Sequence, residues 1–216
     1  MMSELSDFLI VIATLIGLFL FNKINKTYIP FILFLLAGSI VELSSYANFD
    51  SNVKKTIIYI YIFVANQLML TLFFSWDKHK YKYKYKKILL VRVVFVLLIM
   101  ADILSFYFYN NITKWGTYLI YLALSIYGLN ILNQHSIGFY SRKSTISRTL
   151  IIVPFMVFSI YYVTINIVMY FLYNASNQKF FMSLYNLIWV INILSYICYS
   201  FALFLAPKKE RYLDVT

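Results

Sequence analysis

The chain has 216 residues, 62% hydrophobic and 12% charged, with a mean hydropathy of +0.75 and a formal net charge of +11. A soluble domain keeps roughly a quarter of its residues charged and under half apolar, so lipid rather than water must face most of this surface. That excludes a soluble enzyme or binding domain, and with polar stretches of at most about a dozen residues there is no room for a second, soluble unit.

Read in chain order, the apolar runs predict one all-α, polytopic domain over residues 1–216, a seven-transmembrane-helix bundle. The spans are expected at about 5–22, 28–46, 56–75, 88–109, 115–132, 149–173 and 181–206, each near the ~20 residues that cross a ~30 Å hydrocarbon layer. Continuous rather than alternating apolar character selects helices over barrel strands. The first run follows Glu4 and Asp7 with no basic residue ahead of it, so it reads as a retained span rather than a cleaved signal peptide. Span two carries Glu42, span three Asn66 and Gln67, and span four Asp102. Span six holds Asn166, with Pro154 expected near its start, where proline costs little. Span seven holds Asn186, Asn192 and the single cysteine, Cys198, which has no partner for an internal disulfide.

Charge placement sets the orientation. Fifteen of the 19 basic residues fall in one set of connections, among them Lys23, Lys26, the 78–92 group, Arg142, Lys143, Arg148 and Lys208, against Lys54, Lys55, Lys114 and Lys179 in the other. The richer set is expected in the cytoplasm, which with an odd span count puts the N-terminus outside and the C-terminus inside. The expected location is the cell (inner) membrane. Trp76, Trp115, Tyr46, Tyr109 and Tyr173 fall at span ends, where amphipathic rings favour the headgroup level.

The run from Trp76 to Lys87 interleaves Lys78, Lys80, Lys82, Lys84, Lys86 and Lys87 with Tyr81, Tyr83 and Tyr85. Juxtamembrane lysines gain about 1 kcal/mol each near an anionic leaflet, so the expected partners here are anionic lipid headgroups and a cytoplasmic signalling protein. The membrane accounts for the charge, and no nucleic acid is expected.

Two carboxylates inside apolar runs, Glu42 and Asp102, are the most informative residues, because an ionised group in the hydrocarbon layer costs several kcal/mol, at least about 2.5. Each has a serine three residues on, Ser45 and Ser105, on the same helical face. No basic residue is expected at their depth. Asn166 and Asn186 fall at similar depth, with Asn66 and Asn192 nearer the middle. Two readings stand open. In one, Glu42, Asp102, Asn166 and Asn186, with Asn66 and Asn192 behind them, line an outward-facing ligand pocket. In the other these groups hydrogen-bond between helices and fix packing, at about 0.6 kcal/mol each. Tyr185, Trp189, Asn192, Tyr196 and Tyr199 form one stripe of span seven at helical spacing, read as its inward face with a ligand-stacking wall as the other reading.

Catalytic signatures do not emerge. His79 and His135 fall in connections distant from the intramembrane acids, so no zinc-hydrolase ligand set converges. There is no nucleophile elbow, metalloprotease helix, phosphate loop or dinucleotide fingerprint. Span seven contains no lysine for a retinal Schiff base. No catalytic residue, metal site or cofactor is expected.

Three segments, YIPFILFLLAGSIVELSSY from Tyr28, YIFVANQLMLTLFFSW from Tyr61 and LIWVINILSYICYSFALFLAPKK from Leu187, resemble the second, third and last spans of a family of small seven-span proteins common in Bacteroidota. Where relatives often carry a Pro-x-Glu-like motif, this chain has Ala65-Asn66-Gln67. The family brings no established activity, so the resemblance implies location and architecture, and it picks out Glu42. The expected function is a non-enzymatic sensory or regulatory module with an outward-facing polar pocket. A small proton- or cation-coupled transporter is the alternative, and an intramembrane lipid-modifying enzyme a weaker one.

Overall fold

The computed structural model describes residues 2–47, 49–77, 84–109, 114–136, 142–172 and 178–208, with the backbone alone at 84–87, 106–109, 135, 136 and 142. Seven helices account for nearly all of these residues: α1 (Met2–Leu20), α2 (Ile29–Ser45), α3 (Ser51–Trp76), α4 (Lys84–Tyr109), α5 (Trp115–Ser136), α6 (Arg142–Leu172) and α7 (Gln178–Leu205). A 3-10 turn, Lys26–Tyr28, leads into α2. Among the described residues the only β feature is an isolated bridge between Ile24 and Lys208. All seven helices are long and apolar enough to cross a membrane. Helix is the form in which such a segment satisfies its own backbone away from water, and the protein has the build of a multi-pass membrane protein.

The helices overlie the seven apolar runs but extend beyond several of them. α3 takes in Lys54 and Lys55, and α6 begins at Arg142 rather than near residue 149. Hydropathy stops at the first charges, whereas backbone hydrogen bonding does not. One consequence is that Pro154 lies well inside α6 rather than near its start. Local signals set other ends: the Asp50 side chain caps α3 by accepting from the Ser51 amide at 2.7 Å, and Pro30 sits in the first turn of α2, where its missing N–H costs nothing.

Packing arranges six helices in a closed ring, in the order α1–α2–α3–α5–α6–α7, with α7 returning to α1. α4 stands outside, against α5 and, less extensively, α3. The first helix is a full ring member: Ser6, Ile10, Ala13, Thr14 and Gly17 are buried at the spacing of one helical face. It meets α2 along a seam of small residues, where the Thr14 and Ser39 hydroxyls lie 2.7 Å apart and Ser39 also donates to the Ile10 carbonyl at 3.3 Å. Small residues let helix backbones approach closely, and hydroxyls then bond across the seam. At the end of α1 the Asn25 amide donates to the Pro207 carbonyl at 2.9 Å, fastening the ends of α1 and α7 together.

Toward that same end the ring is filled with large side chains. Phe31, Leu35, Leu72, Phe73 and Tyr28 are fully buried, and Trp76 is 1% exposed. Phe31 meets Tyr199 edge-on at 5.1 Å and Phe73 meets Phe155 edge-on at 5.7 Å, a favoured aromatic geometry. Trp76 therefore turns into the bundle rather than to its surface. It packs against Tyr28 at 5.2 Å and lies under the Arg148 guanidinium. Trp115, 42% exposed, and Tyr46, 62% exposed, do lie at the surface.

Candidate functional site

A chamber of about 130 Å³ lies inside the ring, with walls contributed by five of its helices. Glu42 of α2, Asn66 of α3, and Asn192 and Ser195 of α7 supply polar groups. Tyr61, Tyr121, Tyr196 and Tyr199, with Phe34, Phe155 and Phe158, supply rings. The placement follows from helical spacing: Tyr61, Ala65, Asn66 and Met69 share one face of α3, and Asn192, Ser195, Tyr196 and Tyr199 one face of α7. Asn66 is 1% exposed, and its side-chain amide nitrogen has no hydrogen-bond partner. A buried donor left unpaired costs about 1–3 kcal/mol, so the fold carries a standing cost at this wall. The Ser195 hydroxyl is occupied, donating to the Ile191 carbonyl at 2.8 Å.

A wider recess of about 310 Å³ adjoins the chamber and shares Glu42, Tyr61, Tyr121 and Phe158 with it. It extends past Val41, Ile58 and Tyr162 to Ser44, Ser45, Lys54 and Lys114, at the end of the bundle where α2 stops and α3 and α5 begin. Glu42 thus stands at the neck between an inner chamber and a mouth flanked by two lysines. Asp7 of α1 lies against Glu42, and Tyr46 donates its hydroxyl to Asp7 at 2.7 Å. That bond, with the negative charge around it, pushes the Tyr46 phenol up to about 12. Lys54 donates to the Ser45 carbonyl at 3.2 Å. Lys114 rests over the Tyr59 ring at 5.3 Å. Burial lowers the Lys114 ammonium below the usual lysine value, and nearby Asp102 offsets only part of that.

The other sequence-predicted residues go elsewhere. Asp102 is not among the residues lining the chamber or its recess. It faces α5, where it accepts from the Gly116 amide at 2.8 Å, the Thr117 amide at 2.7 Å and the Thr117 hydroxyl at 2.7 Å. It is 5% exposed. A carboxylate from α4 thereby caps the start of α5, where free amides and the helix dipole favour an acceptor. Nor is it without a neighbouring cation, since Lys114 lies within electrostatic reach. Asn166 donates to the Tyr162 carbonyl of its own helix at 2.7 Å. Asn186 is exposed on α7. Neither lines the chamber. Of the six residues put forward for the pocket, Glu42, Asn66 and Asn192 come together and Asp102, Asn166 and Asn186 do not. The depth of a residue along the chain is legible from sequence, but the direction it faces depends on which helices are neighbours.

The aromatic stripe of α7 divides: Tyr196 and Tyr199 reach the chamber with Asn192, while Tyr185 is 39% exposed. Lys78, Lys80 and Lys82 lie outside the described residues, as do the side chains of Lys84, Lys86 and Lys87, whose backbone begins α4. Arg92, grouped by sequence with the connections, is inside α4 and donates to the Thr71 hydroxyl at 2.9 Å. Sequence reasoning passed over Asp7, Tyr61, Tyr121 and Ser195. Tyr61 and Asn66 stand at i, i+5 and so appear unrelated until Ala65 and Met69 place both on the chamber face of α3. Asp77, 7% exposed, was also missed; it accepts from the Tyr127 hydroxyl at 3.0 Å.

Among the described residues no three His, Cys, Asp or Glu side chains are placed to hold a metal ion. No protein-family model, no curated protein and no solved structure matches the chain.

Proposed function

We propose that the chain is a non-enzymatic, ligand-binding regulatory module of the cell membrane, with its chamber opening outward and its C-terminus in the cytoplasm. The observation that carries this reading is a cavity with a carboxylate at its neck and an unpaired amide in its wall. An unpaired polar group in the wall of a cavity is costly for folding alone and useful to a site that holds a small molecule. The buried layer of Phe31, Phe73, Leu72 and Trp76 beyond the chamber is large and aromatic-rich, which supports a receptor rather than a carrier. Occupancy would bias the packing of the ring helices, and the basic cytoplasmic segments, lying against anionic headgroups, would present the change to a partner protein.

Cysteine access from each side of the membrane tests this. Ser195, buried on the chamber wall, becomes the probe as Ser195→Cys in a Cys198→Ser background. A membrane-impermeant thiosulfonate should modify it from outside the cell and not from the cytoplasmic face. Modification from both faces would replace the receptor with a carrier, and modification from neither would remove the pocket altogether.

A further inference from the structure

Resting on that reading of the chamber as a ligand site, we infer that its ligand is a small organic ammonium compound that also carries an oxygen acceptor. The chamber wall holds a carboxylate and no basic side chain, so any full positive charge within it must arrive with the ligand. Glu42 is not already neutralised by an ion pair along that wall. Asp7 lies against it, and a cationic group beside two facing carboxyls offsets the repulsion between them. The remaining walls are mostly aromatic. Ring faces attract alkylammonium groups and tolerate their methyl or methylene surface, which water-seeking metal ions lack.

The second requirement comes from a different residue. Asn66 offers a buried N–H with no acceptor, and its side chain belongs to the wall of the same chamber as Glu42, contributed by α3. Rotation about its last torsion, a broad one for asparagine, turns that donor toward a hydroxyl or carbonyl oxygen. An ammonium nitrogen lacks a lone pair for it, so the acceptor is a separate atom of the ligand.

Size sets the third limit. A cavity of roughly 150 Å³ holds benzene, and this one is about 130 Å³. Ethanolamine, smaller than benzene, meets all three conditions within the chamber, and choline meets them by reaching through the neck at Glu42, while nucleotides, sugars and intact lipids are too large. Lys54 and Lys114 at the mouth repel free cations and favour those that bring a compensating anion, so a phosphate ester of the same amino alcohol would place its phosphate there.

Binding to the purified full-length protein in detergent, followed by calorimetry and thermal shift, tests the inference with ethanolamine, choline, tetramethylammonium and 3,3-dimethylbutanol, the uncharged isostere of choline. At least one amino alcohol should bind, with the isostere and tetramethylammonium each weaker by about tenfold or more. Glu42→Gln should erase the preference for choline over the isostere, and Asn66→Leu the preference for choline over tetramethylammonium. Phosphocholine binding more tightly than choline, with the gain lost in Lys54→Gln, would identify the esterified source, and equal affinity the free amine. If the isostere binds as well as choline, the ligand class is wrong while the chamber stands. If neither amino alcohol binds although Ser195→Cys is labelled from outside, the class is again wrong. Failure of that labelling sinks the site itself.

Discussion

A carboxylate inside a helical membrane bundle must find donors, and Asp102 finds three of them at the first turn of α5. Removing the acceptor leaves two amides and a hydroxyl buried without a partner. Asp102→Ala should therefore destabilise by about 2–3 kcal/mol, read as a lower thermal midpoint in detergent. Asp102→Asn keeps one acceptor oxygen and should cost about half as much. Neither change should alter labelling of Ser195→Cys, because Asp102 is not among the chamber's lining residues. Asn66 should behave in the opposite way. Asn66→Leu removes an unpaired buried donor and should raise stability by about 1 kcal/mol while weakening binding, the trade expected when a site is held open against packing. Lys114 gives a pH signature. Its folded-state value lies below the ordinary 10.5, so the unfolded chain binds the extra proton and stability rises with pH through that window, reaching its full extent above the unfolded value. Thermal midpoints measured between neutral pH and pH ~10 should climb, and Lys114→Met should flatten the slope.

At the scale of elements, two close approaches decide how helices meet. The start of α5 comes so near α4 that a methyl group on Gly116 would collide with the Leu98 carbonyl, and that closeness is what brings the Gly116 amide within reach of Asp102. Gly116→Ala should cost about 1–3 kcal/mol through the forced shift, together with part of the cap. Along the α1–α2 seam, Thr14→Val deletes the bond to Ser39 and should cost about 0.6–1.7 kcal/mol, as interhelical bonds in membranes do; the same unfolding assay checks both. The existence of these helices was legible, since runs such as 28–46 and 181–206 are apolar from end to end. Their limits were less so. Lys54 and Arg148 look like connections by charge but sit in helical turns that outlast the apolar run. Serines and threonines are the hardest to read. Nothing in composition separates Thr14, which reaches Ser39 of a neighbouring helix, from Thr149, which bonds back to Thr145 of its own.

At the scale of the whole molecule, the ring order α1–α2–α3–α5–α6–α7 skips α4, and the list of intramembrane polar residues has to be sorted through that skip. Glu42 and Asn192 belong to ring helices and turn to the centre. Asp102 belongs to the one helix outside, so its inward direction leads to the back of α5 rather than to the chamber. Depth placed Glu42 and Asp102 together, and helix order separated them. The Trp76 layer follows the same logic, since aromatic residues at a span end serve equally as surface anchors or as a plug, and only the neighbours Tyr28 and Arg148 decide which.

The placement of Asp102 also bears on how the chain enters the bilayer. An aspartate at the centre of a helix raises the insertion cost by about 2.5–3.5 kcal/mol; Asp102, nearer the end of α4, carries part of that cost, and the groups that relieve it belong to a segment synthesised later. Held alone in lipid, α4 would face that cost until Gly116 and Thr117 emerged. The two segments should therefore leave the translocon as a hairpin, and a truncated nascent chain ending before residue 114 should fail to integrate its fourth segment stably.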